Sequence, residues 1–129
     1  MRTFFDFVSA RGENVIEAWL ATIPWQARDE INVQLLLLRN VQNLNRPAVG
    51  HLQGPECRGL IEIRVTSKRQ RYRPLAYVEP EANQVTLLVG AKEKGGKLEP
   101  KDACATAWRR IDDINSGRGT IREHKFLGK

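Results

Sequence analysis

Residues 60–94 read LIEIRVTSKRQRYRPLAYVEPEANQVTLLVGAKEK, three short strand-like runs separated by polar breaks. In the first run Ile61, Ile63 and Val65 point one way, while Leu60, Glu62, Arg64 and Thr66 point the other, which makes one face apolar and the other charged. The break SKRQR fits a hairpin turn and YRPLAYV the partner strand; EPEANQ then turns the chain into VTLLVGAK, a third antiparallel strand. Pro74 has no N–H for a ladder, so a bulge or a locally unpaired position is expected there. Arg64, Arg73, Lys92 and Lys94 lie along these runs. Cations placed on adjacent strands of one small sheet describe a phosphate-binding surface, and nucleic acid is the first partner to test.

Upstream of this stretch, RTFFDFV at 2–8 has the aromatic content of a first strand, and SARGEN supplies turn and cap residues. Val15, Ile16, Trp19, Leu20 and Ile23 share one helical face that stops before Pro24. A second helix from Pro24 to about Val41 carries Ala27, Ile31, Leu35 and Leu38 as its inward stripe. The leucine run 35–38 widens that stripe, as for a helix held between the sheet and a neighbouring helix. The two helices read as an antiparallel hairpin. Residues 43–58, dense in Asn, Gly and Pro, read as a long irregular connection.

Downstream, EKGGKLEP reads as a flexible loop, and Pro100 to about Ser116 as a last helix with Ala103, Ala107, Ile111 and Ile114 on one stripe. Gly117 and Gly119 end it. Residues 117–129 are expected as a flexible basic tail, short of core residues, or as a segment that returns to the sheet. The three tryptophans, Trp19, Trp25 and Trp108, are most economically core and helix-contact residues.

The 129 residues suit one domain, 1–129, with one core. There are 21 Lys and Arg against 15 Asp and Glu, a net charge of +6, which favours a polyanion or an acidic protein as partner. No stretch approaches the ~18 apolar residues of a membrane span, and Asp6 interrupts the apolar N-terminus, which argues against a signal peptide. Cys57 and Cys104 are too few and too far apart in sequence for a metal knuckle or a disulfide framework, so the plain reading is cytoplasmic, without metal or other cofactor. Cys104 reads as a small buried helix residue.

The order of elements and several local strings resemble the RelE/HigB family of type II toxin–antitoxin toxins, in particular its phage-derived HigB-like branch. The strings are LIEIR ending at Arg64, YRPLAY from Tyr72 to Tyr77, AKEK from Ala91 to Lys94 and ATAWRR ending at Arg110, and the likeness spans about residues 15–115. Pro74 stands where that family prefers a β-branched residue, and Ala91 where an aromatic precedes the lysines. The resemblance implies an α+β fold: an N-terminal helical hairpin packed on a small antiparallel sheet, with a C-terminal helix. It also implies a metal-independent, ribosome-dependent mRNA endoribonuclease, neutralised by a cognate antitoxin, often a small helix-turn-helix protein. Two alternatives share the fold: a ParE-like gyrase poison without nuclease activity, and a catalytically degenerate protein that only binds nucleic acid or a partner.

Such cleavage activates a 2′-hydroxyl against the adjacent phosphate. It needs a proton acceptor, cations for the phosphorane charge and a donor for the leaving 5′-oxygen. Arg64 and Arg73, on neighbouring strands, are assigned phosphate gripping and transition-state stabilisation. Lys92 or Lys94 serves as base if neighbouring positive charge lowers its pKa. The bland reading of the two arginines is a solvated sheet face paired with Glu62 and Glu79. Lys97, Arg109 and Arg110 are candidate RNA contacts, although cations near a helix C-terminus need no ligand. Tyr72 and Tyr77, on strands flanking the same site, are candidate base-stacking residues against a bland reading as core or rim. His51 and His124 are the chain's two neutral-pH proton shuttles, and neither has a positional match in the family.

Overall fold

The computed structural model describes residues 1–126. The elements in chain order are β1 (Thr3–Val8), α1 (Val15–Leu20), α2 (Trp25–Leu38), β2 (Val49–His51), β3 (Ile61–Ile63), β4 (Val65–Ser67), β5 (Gln70–Tyr72), β6 (Leu75–Glu79), β7 (Gln84–Val89), β8 (Lys92–Lys94), β9 (Lys97–Glu99), α3 (Ala103–Asn115) and β10 (Thr120–Glu123). A six-stranded sheet has the order β10-β1-β7-β6-β3-β2, and a four-stranded sheet the order β4-β5-β8-β9. The pairings are antiparallel except β1 with β7, which is parallel.

This architecture corrects the expected helical hairpin on a small antiparallel sheet. The described residues are mostly sheet, ten strands with three short helices. The physical reason lies in α1, only six residues long, which lies against β1 and β7, whereas α2 lies against β4. Asn14 starts α1 by accepting the amides of Ile16 and Glu17 at 3.0 and 2.9 Å, and Pro24 stands immediately before α2. Ala27, Ile31, Leu35 and Leu38 of α2 are buried as its spacing requires. Among the described residues the other side is left open: Trp25 and Leu37 are each 61% exposed, which corrects both the sandwiched leucine run and the core assignment of Trp25. The Arg2 guanidinium serves the end of α2 by donating to the carbonyls of Leu38 and Val41 at 2.5 and 3.0 Å.

Two apolar layers flank the large sheet. Phe4, Ile16, Ile31, Leu35, Val49 and Ile63 share one with α1 and α2, and Phe7, Leu60, Leu75, Leu88 and Ala107 share the other with α3. Two further expectations change, and the tail takes one of the two forms expected of it. The connection 43–58 contributes β2, paired to β3. EKGGKLEP is the hairpin β8–β9, turned by Gly95 and Gly96 at φ +57° and +79°. The basic tail returns to the sheet edge, with Phe7 opposite Ile121 and the His124 amide on the Phe4 carbonyl at 2.9 Å; residues 127–129 of that expectation lie outside the described residues.

The cysteines are also corrected. Cys57 and Cys104, 47 apart in sequence, form a disulfide with a Cα separation of 5.2 Å that ties the loop after β2 to the first turn of α3. Sequence distance says nothing of distance in the fold, and the reading of a cytoplasmic protein from the spacing of these cysteines loses its support. No helix among the described residues is long and apolar enough to cross a membrane.

Candidate phosphate-binding site

The strands β3–β4 and β5–β6 are the two arms of one hairpin. Its turn residues, Lys68 and Arg69, both have positive φ, +47° and +72°, the geometry that matches the twist of a two-residue hairpin. Glu62 pairs with Leu75 and Val65 with Tyr72, so the register runs through unbroken and Arg64 stands opposite Arg73. At this level each arm changes neighbours. The Arg64 amide donates to the Ala48 carbonyl and the Arg73 amide to that of Ala91, each at 2.8 Å. The break expected at Pro74 falls between β5 and β6, with a register shift against β7 between Leu75 and Ala76. The two arginines therefore sit where the hairpin passes from one sheet to the other.

Their charges are internally matched. Arg64 Nε lies 2.9 Å from Glu62 Oε2 and Arg73 Nε 3.9 Å from the same oxygen; Arg73 Nε is also 3.4 Å from Glu93 Oε1, and Arg71 Nη1 is 3.0 Å from Glu93 Oε2. Five side chains thus alternate in sign across β3, β5 and β8. The arginines differ in access: the Arg64 side chain is 32% exposed, that of Arg73 only 8%. Arg73 Nη1 donates to the Tyr72 carbonyl at 2.9 Å, while its Nε, though close to two carboxylates, makes no aligned hydrogen bond among the described residues. Gly50 on β2 makes room for the other guanidinium, since a Cβ there would come within 2.8 Å of Arg64 Nη2.

The remaining candidates are dispersed. Lys92, paired with Tyr72 across β5–β8, holds its ammonium 5.9 Å from the Tyr72 ring centre. Lys94 is 3.8 Å from Glu99, with both side chains more than half exposed, and Lys97 is exposed opposite Lys94. The tyrosines do not flank one site. Tyr72 is buried against Trp19, edge to face at 6.2 Å, and burial, with a smaller contribution from Glu30, holds its phenol above the ordinary range. Tyr77 packs on the opposite face of the sheet against Trp108, at 6.0 Å. Arg109 and Arg110 line a separate cleft beside α3, away from the strand arginines.

Neither histidine joins the network. His51 Nε2 is 2.8 Å from the Leu44 carbonyl. His124 is buried, with Nδ1 2.8 Å from Asp6 Oδ1 and Nε2 2.8 Å from Asn32 Oδ1, while Asn14 Nδ2 donates to Asp6 Oδ2 at 3.0 Å. Sequence reasoning missed Glu93 and Gly50, and weighed Glu79 where Glu93 in fact stands. The KEK string held the signal for Glu93, because it puts an acid between two strand cations. The partner choice of Gly50 carried no local signal.

A mixed-sheet domain with an arginine-centred hairpin is the class that fold and site define. Residues 18–112 match the family described as "Phage derived protein Gp49-like (DUF891)", and the chain belongs to this family of toxin–antitoxin toxins related to RelE and HigB. No curated protein and no solved structure matches the chain.

Proposed function

We propose that this chain is the toxin of a type II toxin–antitoxin pair and cleaves mRNA at the ribosome without a metal, its antitoxin holding it inactive. Membership in the Gp49-like family supports the toxin role and the antitoxin partner. The observation that carries the nuclease reading is the Arg64–Arg73 pair, set opposite one another at the sheet junction with one guanidinium open to solvent. In this reading Arg64 grips the scissile phosphate as a two-pronged donor. The 2′-oxygen then forms its bond to phosphorus as the bond to the 5′-oxygen breaks, and the guanidinium stabilises the charge on the non-bridging oxygens. Arg73 and Glu62 position Arg64 rather than touch RNA. Lys92, which stands opposite Tyr72 and so beside Arg73 in the strand register, is assigned the proton relay from the 2′-hydroxyl to the leaving 5′-oxygen.

The internal matching of charge favours a second reading, a gyrase poison of the ParE kind, because a surface whose cations are already paired suits protein contact as well as RNA. Inducing the chain in cells and mapping mRNA ends separates the two. New 5′ ends in translated messages support cleavage, and growth arrest with intact messages and inhibited gyrase supercoiling transfers the case to the poison.

A further inference from the structure

The turn after β1 and the last turns of α3 enclose a cleft of about 400 Å³ into which four arginines project: Arg11, Arg109, Arg110 and Arg118. Two carboxylates, Glu13 and Asp113, line it with them. Arg118 is satisfied, with Nη2 2.9 Å from Asp112 and Nε 3.2 Å from Asp113. Arg110 is held in place: Nη1 donates to the Leu88 carbonyl at 2.6 Å, and its guanidinium lies 5.4 Å from the Phe7 ring centre. Among the described residues neither Arg11 nor Arg109 has a carboxylate within ion-pair reach, and both are exposed. A fixed guanidinium beside two exposed, unpaired ones leaves several charged donors free for an anion. Burial and the neighbouring Arg109 hold Arg110 below the usual guanidinium range, with Glu13 and Asp113 opposing, as that crowding requires.

We propose that this cleft binds backbone phosphates of single-stranded RNA, at a site separate from the Arg64–Arg73 junction. Guanidinium forks match phosphate oxygens, and a phosphodiester chain needs little else. An acidic peptide fits less well, because protein contacts draw their strength from aromatic or aliphatic anchors in apolar pockets, and this lining is dominated by charge. The inference rests on the RNA-directed reading for the class of partner, but it does not need cleavage. Leu88, which anchors Arg110, lies three residues before Ala91, whose carbonyl accepts the Arg73 amide, so the end of β7 connects the two places.

The test is binding of a fluorescein-labelled 2′-O-methyl oligoribonucleotide, which cannot be cleaved, measured by anisotropy from low to moderate salt. The Arg11→Gln/Arg109→Gln pair changes exposed side chains, so the fold is expected to survive, checked by circular dichroism. The expected result is several-fold weaker binding and a log–log salt slope reduced by about 1.4, two contacts at about 0.7 each for a single strand. A control that removes the same charge elsewhere, Lys68→Gln/Arg69→Gln at the hairpin turn, is expected to bind more tightly than the cleft variant. Unchanged affinity and slope overturns the inference, as does an equal loss in the control. Loss of antitoxin binding with oligonucleotide binding intact also overturns it, in favour of an acidic protein segment. If cells show no mRNA cleavage yet the slope falls as stated, the nuclease reading fails and the cleft assignment stands.

Discussion

Arg64 and Arg73 face each other across one hairpin and converge on the same carboxylate oxygen, Glu62 Oε2, at 2.9 and 3.9 Å. In the proposed nuclease they have different tasks, because Arg64 is 32% exposed and Arg73 only 8%. Arg64→Lys, which keeps a cation beside the buried Glu62 but loses the two-pronged fork, should abolish toxicity on induction while leaving the denaturation midpoint close to that of the parent. Arg73→Ala removes the cation between two acids, one of them almost fully buried. Removing one partner of a buried ion pair costs about 3–5 kcal/mol, and the partial exposure of Glu93 puts this case at the low end, near 3 kcal/mol. Urea denaturation of both variants decides it: a stable Arg73→Ala protein that has lost toxicity would assign Arg73 a direct role.

Gly50 offers a subtler way to move the same guanidinium. The nearest atoms a methyl at this position meets are those of the Arg64 guanidinium, the far end of a flexible side chain that can shift without disturbing the backbone. Gly50 is buried, but the crowding falls on a flexible side chain, so Gly50→Ala is expected to cost about 1 kcal/mol, the low end for overpacking, and to lower toxicity measurably. Parent-level toxicity would show that the guanidinium position does not matter.

How much of this was legible depended on whether the determinant was local. The alternation Ile61, Ile63, Val65 and the stripe Ala27, Ile31, Leu35, Leu38 stand in the structure as their periods required. The strand arginines fell on adjacent strands because hairpin register follows from a short turn. The fold class was misread because the strings resembling RelE/HigB say little about β2, β9 and β10, and β10 finds its partner, β1, at the other end of the sequence. Tyr77 illustrates the same limit. Its five-residue separation from Tyr72 looks like one site, yet the break at Pro74 and the odd spacing send the rings to opposite faces.

The Cys57–Cys104 bond closes a long loop, and in the chain-entropy picture this constrains the unfolded chain by roughly 4 kcal/mol, with measured effects more often about 2–4 kcal/mol. Reduction with a phosphine, or Cys57→Ser/Cys104→Ser, should lower stability by that amount in urea titration. Quantifying free thiols in protein purified under alkylating conditions shows whether the bond forms in the cell. Two thiols per chain, with stability unaffected by reductant, would refute the pairing.

The segment that returns to β1 is held by buried polar contacts at His124 as well as by Phe126 against the core. Buried Asp6 receives one hydrogen bond from Asn14 and is 2.8 Å from the His124 ring, which also meets Asn32. His124→Ala leaves Asp6 and Asn32 short of a partner in a dry site, where an unsatisfied polar group costs about 1–3 kcal/mol and a charged one more. The expected outcome is a loss of at least 2 kcal/mol, with amide exchange accelerated first in β10 and only later in β7. Uniform acceleration through the whole sheet would mean that β10 is not a separately held edge.

Tyr72 carries a pH signature. Burial raises its folded-state pKa, with Glu30 adding to the effect, so above about pH 10 the unfolded phenol ionises while the folded one stays neutral. The unfolded state then binds fewer protons than the folded state, and stability falls as pH rises. The contribution is intact below the unfolded pKa and is lost as pH climbs through the folded value. Tyr72→Phe removes the titrating group but keeps the edge-to-face contact with Trp19 at 6.2 Å. In denaturant melts from pH 8 to 11, the variant should show a shallower alkaline decline than the parent, with the two curves closest near pH 8. Parallel curves across that range would show that the phenol ionises as readily in the folded protein as in the unfolded chain, and that the ring is not buried as described.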